Sequence, residues 1–312
     1  MAWRLGAANQ AAARPIDDSM KARTKARTGS AASNIDQKTV IGFGLEWAAF
    51  DQTDLAPDEQ HRLFEAYFSE FPWDSLPSAA EGFDLGCGSG RWAALVSPRV
   101  GRLHCIDPAA QALEVCRRRL SSTRNAEFHL AGAHNIPLAD GSQDFGYSLG
   151  VLHHIPDTAR AMLDAVRKLK PGAPFLVYLY YDFENRPAWF RWLWRLSDLG
   201  RTALSRLPFP VKKAGCDHIA AAVYWPLSRG AKLLEKAGFN VSNVPLSSYR
   251  GLSFYTLRTD ALDRFGTRLE QRFSAAEMRK LMEDAGLEQI RFRRGEPYWC
   301  ACGRRMRKDV AK

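Results

Sequence analysis

At 312 residues, with 46% hydrophobic and 25% charged side chains, the chain can bury one large core, or a core with a smaller embedded unit. No apolar run reaches the roughly 18 residues of a membrane-crossing helix, and the opening residues lack the long apolar core of a secretory signal. The formal charge of +10 gathers at the ends: residues 1–40 hold seven basic and three acidic side chains, and residues 287–312 hold eight and three. Such charges read as solvated tails, and the body lacks the basic excess of a nucleic-acid binder.

Residues 1–38 are rich in Ala, Lys, Arg and Ser and are expected to form a disordered basic tail. Order begins near Val40–Gly44. A helix is predicted from Asp58 to about Glu70, with Pro57 in its first turn and Leu63, Phe64, Tyr67 and Phe68 on its apolar side. Those rings suit core packing, with a lid over a ligand as the sharper alternative.

Next comes Phe83-Asp84-Leu85-Gly86-Cys87-Gly88-Ser89-Gly90-Arg91-Trp92. Three alternate glycines between a short apolar run and a helix-forming stretch let backbone N–H groups approach a ligand that any Cβ would exclude. A nicotinamide fingerprint needs its last glycine where Arg91 stands. Asp84 beside the turn speaks for a cationic ligand.

Strand and helix then alternate, the rhythm of a parallel α/β sheet. Strands are predicted at Gly82–Leu85, Leu103–Asp107, Glu127–Leu130, Phe145–Leu149 and Pro174–Tyr180, with helices at Ala110–Leu120 and Thr158–Leu169. Asp107 ends the second strand about twenty residues after the turn, where an acid can accept hydrogen bonds from both ribose hydroxyls of an adenosine.

Residues 182–274 read as a long insertion. Within it, 187–207 is a Trp-rich basic amphipathic helix suited to capping a substrate or lying at a membrane interface, with capping favoured. Tyr249–Tyr255 and Arg258–Asp260 mix aromatic and polar groups that could line a pocket. Ser274 and Glu277 form a capping box, and that helix ends at Gly286. Two strands, Leu287–Arg294 and Tyr298–Arg304, follow. The six cysteines (87, 105, 116, 216, 300 and 302) contain no CxxC pair, so buried reduced thiols are expected and a metal is not.

"DLGCGSG", the acid ending strand two, "AHNIPLADGSQDF", "LGVLHHIPD" and "LKPGAPFLVYLY" stand here in the order and spacing of a known group. Over residues 83–181 the chain resembles the class I S-adenosylmethionine (SAM)-dependent methyltransferases, in particular the group that includes ubiquinone and menaquinone C-methyltransferases. The resemblance implies an α/β, Rossmann-like fold with a mainly parallel seven-stranded sheet, a closing antiparallel hairpin and an inserted, largely helical cap. It divides the chain into a tail (1–38), lid helices with a SAM-binding core (39–181), a substrate cap (182–274) and the last helix with the hairpin (275–312).

It further implies SAM as cofactor, released as S-adenosylhomocysteine. Asp84, Gly86, Cys87, Gly88 and Gly90 would surround the methionine end. Asp107 and Pro108 would hold the ribose, Gly132 and Ala133 the adenine edge, and Gly150 and His153 would lie beneath the sulfonium. Relatives place an acid near 132–134, and this chain has none.

Methyl transfer needs a base only when the acceptor must lose a proton. His153 and His154 are the first candidates, ahead of Asp157 and Tyr181. The expected acceptor is a small molecule, glycan or lipid-linked intermediate, methylated at O, N or C. A tRNA or rRNA methyltransferase is the runner-up, and a SAM-binding protein without turnover is the third reading. The expected location is cytoplasmic, with peripheral membrane contact through 187–207 as an option.

Overall fold

The computed structural model describes residues 34–307. Most of the expected tail, 1–33, lies outside them. Residues 36–38 depart from the expectation, because the Asp36 carboxylate accepts from Thr39 N and caps α1 (Gln37–Ala49). After α2 (Pro57–Tyr67) the chain builds β1 (Glu81–Leu85), α3 (Ala93–Val96), β2 (Arg102–Asp107), α4 (Ala110–Arg119), β3 (Ala126–Leu130), β4 (Phe145–Leu149), α5 (Thr158–Lys168) and β5 (Pro174–Tyr178). The helix opened by Trp92 lasts a single turn. Pro98 has no N–H to continue it, and the chain tightens into a 3₁₀ turn over Ser97–Arg99.

The insertion supplies α6 (Ala188–Leu204), α7 (Phe209–Ile219), α8 (Trp225–Lys236) and α9 (Phe254–Gly266). A wide turn at Ala220–Tyr224 joins α7 to α8 without a break and accommodates Pro226 in the first turn of α8. The chain closes with α10 (Ala275–Asp284), β6 (Leu287–Phe292) and β7 (Cys300–Arg305). The Ser274–Glu277 capping box is formed.

The sheet has seven strands in the order β3-β2-β1-β4-β5-β7-β6. The first five are mutually parallel, and β7 runs antiparallel to both neighbours. Strand order reverses between β1 and β4, which opens a crevice at their carboxyl ends where ligands of such sheets bind. Gly82 pairs with Phe145 and Phe83 with Gly146. Each glycine lies against the ring of its own partner: a Cβ on Gly82 would come within 2.3 Å of Phe145, and one on Gly146 within 2.4 Å of Phe83.

One core lies between the sheet and α5 and α10, around Phe83, Phe175 and Met162. A second packs Phe64, Phe68 and Phe71 against Trp92, Phe145 and Tyr147, so these aromatics pack in the core as expected. All six cysteines are buried. Cys300 and Cys302 sit in β7, and the basic residues near them are not a solvated tail: Arg304 donates to Gly172 O at 3.0 Å and Arg305 also reaches backbone carbonyls.

The cap has a small core of its own, built from Cys216, Ala220, Tyr224, Leu257 and Leu262, and Phe50 from the N-terminal segment completes it. The Glu59 carboxylate accepts from Ser253 N at 3.0 Å and Thr256 Oγ1 at 2.6 Å, tying α2 to the start of α9. Lid and cap therefore share contacts that the expected domain boundary at 181/182 separates.

The 187–207 helix packs on one side only. Phe190 and Trp194 pack on Phe183, with ring centroids 5.4 and 5.5 Å away. Trp189, Trp192, Leu196 and Leu199 are exposed, and no residue of α6 is fully buried. Among the described residues no helix is long and apolar enough to cross a membrane.

Candidate active site

The glycine turn sits at the carboxyl end of β1. Gly86, Gly88 and Gly90 all take positive φ (81°, 53° and 74°), a conformation that side chains oppose. Gly86 N and Cys87 N donate to Ile106 O, and Gly88 N donates to an Asp107 carboxylate oxygen at 2.9 Å. The other Asp107 oxygen accepts from Ala109 N at 2.8 Å, beside half-buried Pro108. Burial pushes the Asp107 carboxyl up to about 6, against the pull of these two N–H groups.

Ala131 N donates to Asp107 O, which brings Gly132 and buried Ala133 beside the end of β2. Gly132 N donates to Asn135 Oδ1 at 2.8 Å.

Helix α1 lies across the ends of the two central strands. Its Phe43 ring is 4.9 Å from His154 after β4, and a Cβ on Gly88 would meet the Trp47 indole at 2.9 Å. Sequence reading marked only the onset of order here. A helix of low polar contrast, brought to the turn by tertiary packing, carries no local signal of its role.

Beside this crevice is a cavity of about 320 Å³, bounded by Leu149, Gly150 and Arg91 and roofed by the cap. Tyr67, Tyr178, Tyr180, Tyr181, Phe183, Tyr249 and Tyr298 supply aromatic walls, and Asp260 and Asp263 of α9 present carboxyls. Burial pushes Asp260 up to about 7, with Arg91 pulling back, and Asp263 up to about 6. The Tyr180 hydroxyl donates to Asp263 Oδ2, while Asp263 Oδ1 has no hydrogen-bond partner among the described residues. Of the expected pocket segments, Tyr249, Leu252 and Asp260 do line the cavity.

His153 and His154 do not. The turn Leu152–His154 winds both rings inward. His153 is fully buried and stacks on Tyr180 at 3.9 Å, and burial with the neighbouring His154 holds it well below the usual imidazole range. His154 Nδ1 donates to Leu269 O at 2.7 Å, and burial pushes that ring down to about 4. Neither ring lines the cavity, whereas the α9 carboxyls do. Asp157 caps α5 by accepting from Arg160 N, and Tyr181 lies on the wall.

Residues 83–177 match the family described as "Methyltransferase domain". This region is a class I SAM-dependent methyltransferase domain. An uncharacterized 37.1 kDa protein in transposon TN4556 of Streptomyces fradiae is 41% identical over 32% of this chain and 29% of its own length. A ubiquinone/menaquinone biosynthesis C-methyltransferase of Rubrivivax gelatinosus is 31% identical over 47% of this chain and 56% of its own. A tRNA (carboxymethyluridine(34)-5-O)-methyltransferase of Macaca fascicularis is 27% identical over 40% and 20%. The chain thus spans well under two thirds of these relatives. A solved putative methyltransferase from Bacillus halodurans aligns at 15% identity and TM-score 0.45, covering 72% of this chain and 71% of that one.

The methyltransferase crevice has the chemistry for SAM, a nucleoside with a positively charged sulfonium and ammonium. Asp84 Oδ2, at the end of β1 beside the glycine turn, is buried without a partner among the described residues, and burial holds this carboxyl well above its usual range. A cation beside it would restore the charged form.

Proposed function

We propose that the chain transfers a methyl group from SAM to a small-molecule, glycan or lipid-linked acceptor held in the aromatic cavity. The cavity itself carries this reading. Its volume of about 320 Å³ suits a ring-sized acceptor, and it opens at Gly150, where the chain leaves β4 for the crevice.

SAM, when bound, supplies a methyl group already activated on a sulfonium. In this reading Asp107 accepts the ribose hydroxyls, with Pro108 alongside. Asp84, Gly86, Cys87, Gly88 and Gly90 surround the methionine end, Gly132 and Ala133 flank the adenine, and Gly150 lies at the reacting end with His153 behind it.

Tyrosines 178, 180 and 249 orient the acceptor and exclude water. The Asp263 carboxylate, poised by burial near neutrality, accepts the acceptor's proton. Asp260, one turn earlier on α9, is its neighbour in the cavity.

The relatives' names divide between quinone and tRNA acceptors and so favour neither. An aromatic-walled cavity of this size favours the small acceptor. Labelled-methyl SAM, incubated with the protein and a fractionated cell extract against an Asp107→Ala blank, should label the small-molecule or lipid fraction. Label in RNA alone would overturn the acceptor class. Binding without label in any fraction would support a protein without turnover.

The exposed stripe of Trp189, Trp192, Leu196 and Leu199, flanked by Arg191 and Arg195, supports peripheral contact with an anionic lipid surface. Wild type should co-sediment with anionic vesicles, and a Trp189→Ser/Trp192→Ser variant should bind several-fold less. Equal absence of binding in both would end this reading.

A further inference from the structure

On β2 and β3, beside the start of β1, lies a cluster that methyl transfer does not use. His104 of β2 pairs in register with Glu127 of β3, and His129 lies two residues further along β3. Strand alternation puts the three side chains on one face. None of them lines the cavity.

His104 Nδ1 lies 3.0 Å from His129 Nε2 and 3.4 Å from Glu127 Oε2. All three ligand atoms lie within 4.8 Å of one another. Ligands at about 2.0–2.1 Å around a tetrahedral ion are separated by about 3.3 Å, so this spacing already matches a coordination sphere.

The surroundings set the proton positions. His104 Nε2 is 2.8 Å from Glu81 Oε1, and the same carboxylate oxygen faces Gln143 Nε2 at 3.4 Å. A carboxylate there requires the His104 proton on Nε2, which turns the Nδ1 lone pair toward Glu127 and His129. This carboxylate–histidine pairing is how proteins orient a metal-binding imidazole.

Arg102 engages Glu127 through Oε1 at 3.4 Å and leaves Oε2 for the cluster. With two acids against one arginine, the site remains favourable to a cation. The Glu127 side chain is 47% exposed, which gives an ion a route in and a water as fourth ligand.

We propose that His104 Nδ1, His129 Nε2 and Glu127 bind one divalent transition-metal ion of the Zn²⁺ type, with water in the fourth position. Imidazole and carboxylate donors suit such an ion better than Mg²⁺ or Ca²⁺. On binding, the His129 proton moves from Nε2 to Nδ1, and no electron transfer is involved. The ion ties the edge strand β3 to β2, just before the chain turns into Gly132 and Ala133.

The test uses the untagged full chain, stripped with chelator and dialysed against Zn²⁺, with metal content measured by mass spectrometry. Co²⁺ absorption serves as a second probe of the ligand set. Wild type should retain one ion per chain and give an intense visible Co²⁺ band. His129→Gln and Glu127→Gln, both at partly exposed positions, should each lose at least tenfold in affinity, with circular dichroism and SAM binding unchanged. Glu81→Gln should lose about tenfold, because the orienting carboxylate is gone. No saturable uptake by wild type, or the same stoichiometry and spectrum in the variants, would overturn the site. Should the variants fail to fold, a 1:1 saturable rise in wild-type Tm with Zn²⁺ and a weak, octahedral-type Co²⁺ spectrum would also overturn this ligand set, since it predicts the intense band.

Discussion

Replacing Asp263 with Asn lowers kcat by about 10²–10⁴-fold while leaving the Kd for SAM unchanged, as expected when a positioned proton acceptor is lost. The wild-type pH profile provides a second readout. Burial raises Asp263 to about 6 and Asp260 to about 7, so activity rises with pH through that window as the carboxyls ionise. Below it they are protonated and accept nothing. The Asn variant should lose the part of this rise that belongs to Asp263. The check is steady-state transfer from labelled SAM into the responsive acceptor fraction between pH 5 and 8. Full activity with an unshifted profile in the variant would remove Asp263 from the chemistry.

The second large effect belongs to Asp107. Asp107→Ala deletes the proposed acceptor for the ribose hydroxyls and strands the Gly88 and Ala109 N–H groups that now donate to it. Two charge-assisted hydrogen bonds at about 1.5–3 kcal/mol each weaken SAM binding by at least about a hundredfold. Asp107→Asn keeps one acceptor oxygen and should fall between. Because the folded carboxyl titrates near 6 and its ionised form accepts the ribose, wild-type Kd should rise about tenfold from pH 7 to pH 5. Calorimetric titration at the two pH values measures this directly. A flat wild-type affinity together with an unimpaired Ala variant would remove Asp107 from the cofactor site.

The methyltransferase sheet was legible because its signals are local. The apolar strands, the alternate glycines and the acid ending β2 each state their conformation within a few residues, and the structure holds them where the pattern put them. The acceptor side was not legible in the same way. Asp263 meets Tyr180 across a whole inserted cap, and Trp47 reaches Gly88 only because α1 packs over the strand ends. Nothing in the composition of α1 or α9 announces those meetings. The orientation of the adjacent histidines was hidden for a related reason. Their place after β4 was read correctly, but a single helical turn and the Leu269 carbonyl decide which way the rings point. The Trp-rich helix was likewise found by periodicity, although periodicity does not say which rings the cap will bury.

The reciprocal fit of Gly82 under Phe145 and Gly146 under Phe83 bears on how this domain can change over generations. Enlarging either glycine forces a ring out of the centre of the sheet, and trimming either ring leaves a hollow against a residue with no side chain. Each single step is therefore disfavoured, while paired steps that exchange volume across the strands are not. Positions 82 with 145, and 83 with 146, are therefore expected to change together or not at all. Sequence divergence is thus channelled away from the β1–β4 seam and into the cap, where a new acceptor can be accommodated without disturbing the crevice that would hold the methyl donor.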